Sequence, residues 1–236
     1  MTRTLHIAGD STAGPKSRAA APETGWGMAL PYYLDDAVAV ANHARNGRST
    51  RSFVAQGRLD ALARDLRPDD VLLIQFGHND AKVEDPERHT EPWTSYTEHL
   101  ARFLGIARDA GARPVLATSV ERRRFDAAGR AVPAHGEYPD AVRALAARKS
   151  VPLVDVQRES LALWDELGPE RTLHHFFHAP DGRRDDTHFN PPGAAAVARI
   201  VAAGLVGAGV LRDSDVRRLD EDVPDEWFRW LEGDPA

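Results

Sequence analysis

The feature that most constrains this chain is a repeated pairing: a short apolar run that stops at a polar, glycine-containing turn. Val71-Leu72-Leu73-Ile74-Gln75-Phe76 runs into Gly77-His78-Asn79-Asp80, and Leu5-His6-Ile7-Ala8 runs into Gly9-Asp10-Ser11-Thr12. Runs of this length, bounded by turn residues, read as buried strands. Further strands read at Ala37–Ala41, Pro114–Thr118 and Pro152–Val156. Stretches of helical spacing separate them, and strands alternating with helices pack as a parallel sheet covered on both faces. The expected fold is therefore a single-domain, three-layer α/β/α sandwich with a parallel sheet of about five strands.

Helices are predicted near Gly25–Leu34, through Leu66 with a break near Gly57, at Trp93–Ala110, at Tyr138–Lys149 and onward to Leu167. Pro191-Pro192 opens the final main helix, as proline suits the first helical turn. Gly168 to Asp186 reads as irregular. Residues 1–212 form the expected domain. Residues 213–236 form a charged tail that becomes aromatic at Trp227, Phe228 and Trp230. It is expected to fold back onto the body, a dimer contact being the other reading, so either a monomer or a homodimer fits.

Composition narrows the partners. The 236 residues carry a net charge of −6, with Arg122-Arg123-Arg124 as the one notable basic cluster. Nucleic-acid binding relies on clustered Lys and Arg, so it is not expected here. The arginine run reads by default as a solvated loop. With no cysteine, neither a disulfide framework nor a thiolate metal site is available. Met1-Thr2-Arg3-Thr4 leads directly into the first strand without a signal-type apolar region, which gives a cytoplasmic expectation. Ala194 to Leu211 is long and apolar but contains Arg199 and is mostly Ala and Gly. It reads as a buried helix, so no membrane association is expected.

In open α/β sheets, chemistry gathers beyond the carboxyl ends of the strands. Three polar turns fall there: Gly9-Asp10-Ser11, Asn46-Gly47-Arg48 and Gly77-His78-Asn79-Asp80. Asp185-Asp186-Thr187-His188 precedes the last helix. Together they offer the parts that acyl transfer needs. Ser11 is the candidate nucleophile and His188 the base, since imidazole titrates near neutrality. A carboxylate three residues earlier can hold the ring Nδ1–H. Gly47 can bring a backbone N–H close to substrate, and Asn79 can donate a side-chain N–H. Asp10 and Asp80 read as turn braces.

This ordered set of blocks resembles the SGNH, or GDSL, hydrolase family. Ala8-Gly9-Asp10-Ser11-Thr12-Ala13, Gly25-Trp26-Gly27, Asn46 to Phe53, Gln75 to Asp80 and Asp186-Thr187-His188-Phe189 are most similar to its rhamnogalacturonan acetylesterase-like branch. The resemblance implies a flavodoxin-like fold and a Ser11–His188–Asp185 triad, the D-x-x-H spacing selecting Asp185 over Asp186. It implies an oxyanion hole from the Ser11 and Gly47 N–H groups and the Asn79 side chain, with no cofactor and no metal. The implied substrate is acetylated carbohydrate, pectic oligosaccharide foremost, with xylan-derived oligosaccharides or another small ester as the alternative.

Weaker signals accompany these. His78, Arg48 and Trp26 are candidate substrate contacts, with His78 equally readable as a satisfied structural histidine and Trp26 as a sugar-stacking platform or simply helix core. Arg122, Arg123, His135 and Tyr138 could line the same site. His174, His175 and His178 have a metal-like spacing but lack the Glu of a helical zinc motif. Gly9 to Ser17 nearly spells a phosphate-binding loop, which would make the protein a nucleotide binder. Pro15 breaks the Gly-Lys register of that motif and removes a backbone donor.

Overall fold

The computed structural model describes residues 3–179, 181–224 and 227. Five strands build the main sheet: β1 (Arg3–Gly9), β2 (Val38–Asn42), β3 (Val71–Gln75), β4 (Arg113–Ala117) and β5 (Leu153–Val154). Their order is β2-β1-β3-β4-β5, and every pairing is parallel. All carboxyl ends therefore lie on one rim, as the alternating pattern predicts.

The period of two along each strand divides the core. Leu5, Ile7, Val71, Leu73 and Val115 face one apolar layer, while Ala8, Leu72, Ile74 and Leu116 face the other. Helices α1 (Trp26–Ala29), α6 (Val156–Arg171) and α7 (Pro191–Gly207) belong to the first layer. Helices α2 (Thr50–Ala55), α3 (Arg58–Asp65), α4 (Thr97–Asp109) and α5 (Tyr138–Lys149) belong to the second. No helix among the described residues is long and apolar enough to cross a membrane.

Several boundaries differ from expectation for local reasons. The helix expected to reach Leu34 stops at Ala29 and continues as a 3₁₀ turn, Leu30–Tyr33. Pro31 has no N–H for the α-helical ladder. The expected break at Gly57 is present, with φ at +68°. Gly168 takes φ +71° ahead of Pro169 and kinks α6.

The larger difference lies in the stretch read as irregular. Strands β6 (Phe176–His178) and β7 (Arg184–Phe189) form a separate antiparallel pair with a register shift between Phe176 and Phe177. β7 carries Asp185 and His188. Its sequence, Arg-Asp-Asp-Thr-His-Phe, has no apolar alternation, so periodicity does not reveal it. The described part of the tail meets the body: Arg217 N–H donates to Tyr33 O, and Asp35 N–H to Asp215 O, each at 2.9 Å. Trp227 stands edge-on to Tyr32. Phe228 and Trp230 lie outside the described residues.

Candidate active site

Ser11 follows β1 by two residues and is 8% exposed. Its turn is fixed by Asp10, whose Oδ1 accepts from the Thr12 N–H at 3.0 Å and the Thr12 hydroxyl at 2.7 Å. Asp10 Oδ2 lies 3.0 Å from His78 Nδ1. Burial alone would raise the Asp10 carboxyl, but the neighbouring His78 and the bonds from His78 and Thr12 hold it down at about 2. The chain of contacts continues inward. Gln75 Nε2 donates to Thr12 Oγ1 at 3.3 Å, and Trp26 Nε1–H donates to Gln75 Oε1 at 2.8 Å. Trp26 N–H also bonds Thr12 O at 2.8 Å. That close approach requires Gly25: a Cβ there would stand 2.0 Å from Gly14 O.

His188 reaches Ser11 from β7. Its Nε2 lies 2.7 Å from Ser11 Oγ, and its Nδ1 lies 2.9 Å from Asp185 Oδ2. A carboxylate only accepts, so Nδ1 carries the proton and Nε2 is free to accept one from serine. Asp185 Oδ1 accepts the Thr187 and His188 N–H groups at 2.5 and 3.0 Å. Burial opposes the charge on Asp185, but the His188 bond and charge outweigh it and hold the carboxyl well below the usual range. Asp186 points elsewhere. Its Oδ1 is 3.1 Å from Arg123 Nη1, so spacing and geometry agree on Asp185.

The second rim loop runs from β2 to α2. Gly47 has φ +75°, the left-handed region that glycine enters without strain. Among the described residues, the N–H groups of Ser11 and Gly47 have no hydrogen-bond partner. Asn79 Nδ2 donates to Arg48 O at 3.0 Å, which leaves its second N–H available. Arg88 Nη1 donates to Asn79 Oδ1 at 3.3 Å, and Arg88 Nε is held by Asp85 at 2.5 Å. A cation can only donate, so Arg88 fixes which end of the amide is oxygen and turns Nδ2 toward the rim. Nothing in the local sequence around Arg88 announces this part; only its place nine residues after Asn79 on a returning loop supplies it.

Asp80 ties the loops together. Its Oδ1 accepts the Thr50 N–H at 3.1 Å, the Thr50 hydroxyl at 2.5 Å and the Thr90 hydroxyl at 2.9 Å. Complete burial still pushes its carboxyl up to about 7, against those bonds and with Asp10 adding to the rise.

The weaker sequence candidates sort differently. Trp26 is fully buried and cannot stack on a sugar; it is core beneath the nucleophile turn. His78 is 3% exposed, pairs with Asp10 and stands edge-on to His135, so it braces the nucleophile turn. Arg48 donates to Asn46 O and Gln56 Oε1, which turns its guanidinium onto its own loop. Tyr138 places its hydroxyl against the Asp80 and Thr90 carbonyls. His135 is buried, with Nε2 2.9 Å from Val120 O, and burial drives its pKa far down.

The basic run is not merely solvated. Arg122 bonds the Thr187 hydroxyl. The Arg123 N–H bonds Asp186 O at 2.8 Å, and its Nη2 bonds Pro169 O at 2.7 Å. The two arginines clamp the strand that bears Asp185 and His188. Lys16 does not await a phosphate: its side chain is 1% exposed, and its Nζ lies 2.7 Å from both Glu23 Oε1 and Asn46 Oδ1. Among the described residues, no three His, Cys, Asp or Glu side chains are grouped to hold a metal ion. His175 instead packs edge-on against Trp164.

Known proteins resemble the chain along most of its length. The chain is 42% identical to "Rhamnogalacturonan acetylesterase RhgT" of Bacillus subtilis over 223 residues, covering 91% of this chain and 94% of that protein. It is 37% identical to "Probable rhamnogalacturonan acetylesterase YesY" of the same organism, covering 89% and 95%. The crystal structure of Bacillus subtilis YxiM superposes with a TM-score of 0.77 at 30% identity, covering 89% of this chain and 58% of that one. The pattern of the GDSL-like Lipase/Acylhydrolase family matches residues 7–196. With the rim blocks in the expected order and the two acetylesterase relatives aligned along nearly their whole length, the chain belongs to the GDSL-like lipase/acylhydrolase family.

Proposed function

We propose that this protein is a serine esterase that removes O-acetyl groups from carbohydrate, with pectic, rhamnogalacturonan-type oligosaccharides as its substrates. The observation that carries the reading is the continuous relay from Ser11 Oγ through His188 to Asp185, at 2.7 and 2.9 Å, beside unengaged N–H donors. Ser11 Oγ attacks the acetyl carbonyl while His188 Nε2 takes its proton. The oxyanion settles among the Ser11 N–H, the Gly47 N–H and Asn79 Nδ2, where fixed donors stabilise charge as it forms. Asp185 stabilises the imidazolium and keeps the ring oriented. His188 then protonates the departing sugar oxygen, and water repeats the sequence on the acetyl-enzyme.

The His188 and Asp185 side chains are 26% and 36% exposed, which suits a bulky alcohol arriving at an open rim. The names of the two Bacillus relatives support acetylated rhamnogalacturonan as the substrate class. We place the activity in the cytoplasm, on fragments brought into the cell; recovery of the protein from the culture medium would overturn that location. The deciding experiment is acetate release from a panel of acetylated pectic and xylan oligosaccharides, with Ser11→Ala as control. Release from pectic fragments that vanishes in the variant supports the reading. No release from any acetylated sugar overturns it.

A further inference from the structure

Glu23 belongs to none of the rim blocks, yet it stands at the heart of the site. The Thr24 N–H bonds Phe189 O at 2.8 Å, and this bridge sets Glu23 beside His188. Glu23 Oε1 lies 4.0 Å from His188 Nε2, the nitrogen that serves Ser11. The same oxygen is 2.7 Å from Lys16 Nζ, which also bonds Asn46 Oδ1 beside Gly47. Glu23 is 19% exposed at its side chain, and among the described residues its Oε2 has no hydrogen-bond partner.

We infer that Glu23 is a specificity-determining residue: it accepts a hydrogen bond from the free hydroxyl next to the ester on the sugar being deacetylated. The inference rests on the carbohydrate-ester reading above.

The geometry selects this role. At 4.0 Å the carboxylate is too far to bond the imidazole itself. The leaving oxygen must come within bonding distance of Nε2 to receive its proton. A carboxylate that close to Nε2 is then within reach of a hydroxyl on the neighbouring ring carbon. A carboxylate can only accept, so its partner must be a donor such as that hydroxyl. Lys16 cannot take the role, because its ammonium is enclosed and already engaged by Glu23 and Asn46. The ion pair instead anchors Glu23, since a buried cation stripped of its partner is costly. Gln at position 23 keeps a carbonyl oxygen for Lys16 but removes the free anionic acceptor.

The test compares methyl 3-O-acetyl-4-O-methyl-galactopyranosiduronate, whose one free neighbouring hydroxyl is at C2, with its 2-deoxy analogue, and uses p-nitrophenyl acetate as a third substrate. In the unaltered enzyme, kcat/KM should fall about 10- to 100-fold on removal of that hydroxyl, the range for a hydrogen bond to a charged group. In Glu23→Gln the two sugar esters should become nearly equal, with a larger loss on the hydroxyl-bearing ester than on p-nitrophenyl acetate. Equal cleavage of both sugar esters by the unaltered enzyme overturns the inference without any variant. So does an unchanged preference in Glu23→Gln, or equal losses on all three substrates. If the unaltered enzyme cleaves p-nitrophenyl acetate but neither sugar ester, the carbohydrate reading fails and this inference falls with it.

Discussion

The two halves of the site are held by different means. The nucleophile turn and the Asn79 turn grow from the neighbouring strands β1 and β3, and the Gly47 loop from the edge strand β2; all are bound by buried groups, Asp10, His78, Gln75 and Asp80 each being at most 3% exposed. Asp185 and His188 ride on β7, outside the main sheet, and lean on Arg122 and Arg123 from a neighbouring loop. A buried polar network is rigid because every unpaired member would carry a desolvation cost. A partly exposed arginine clamp is softer, since exposed ion pairs contribute little. The chemistry therefore joins a stiff half that offers the nucleophile and donors to a more yielding half that brings the base.

Breaking the link between the halves should have the largest effect. Ser11→Ala and His188→Ala should each lower kcat for p-nitrophenyl acetate by roughly 10⁴ to 10⁶, as in other serine hydrolases. The double variant should lose little more than either single one, because the residues act as a unit. Independent, multiplying losses would show that the two halves do not form one relay.

Within the stiff half, Asn79→Ala should lower kcat by roughly 10² to 10³, the usual consequence of removing an oxyanion donor. Arg88→Met should cost less, about tenfold, and should cost almost nothing when Asn79 is already Ala. That non-additivity is the signature of a residue acting through its neighbour. An undiminished Arg88 effect in the Asn79→Ala background would assign Arg88 a separate role.

Asp80 tests the stiffness itself. Its carboxyl is raised from 3.8 to about 7 in the folded state. Between those values the native protein keeps a proton that the unfolded chain releases. Its contribution is thus fully present below about pH 4 and is lost as pH rises toward 7, by up to about 4 kcal/mol. Asp80→Asn imitates the protonated form, so denaturant unfolding should show a flatter dependence over that window. An unaltered slope would mean that another group governs it.

The softer half should show the smallest effect. Arg123→Met should change global stability by about 1 kcal/mol or less. It should lower kcat more than it raises KM and speed amide exchange in β7. Equal exchange rates in β7 and in β3 would erase the distinction between the halves.

Much of the stiff half was legible in the chain. Strand ends announce themselves because apolar runs and polar turns differ in composition over a few consecutive residues; α5 even keeps its expected bounds, Tyr138–Lys149. The expectation that Gly168 to Asp186 is irregular failed at β6, which is only three residues long and too short to show a period, and at β7, whose polar residues leave none to read. Trp26 and His78 were read partly as substrate contacts, and only burial distinguishes a sugar platform from a brace under the nucleophile turn.

Local order belongs to the sequence: hydrophobic spacing and turn chemistry specify a parallel α/β sandwich and the residues at its rim. The tertiary structure decided what long polar side chains do. Arg88, Lys16, Glu23, Arg122 and Arg123 each find partners distant in sequence or across a loop. A flexible charged side chain has many possible partners within its reach, and the one it takes depends on which backbone segments the folded core brings beside it.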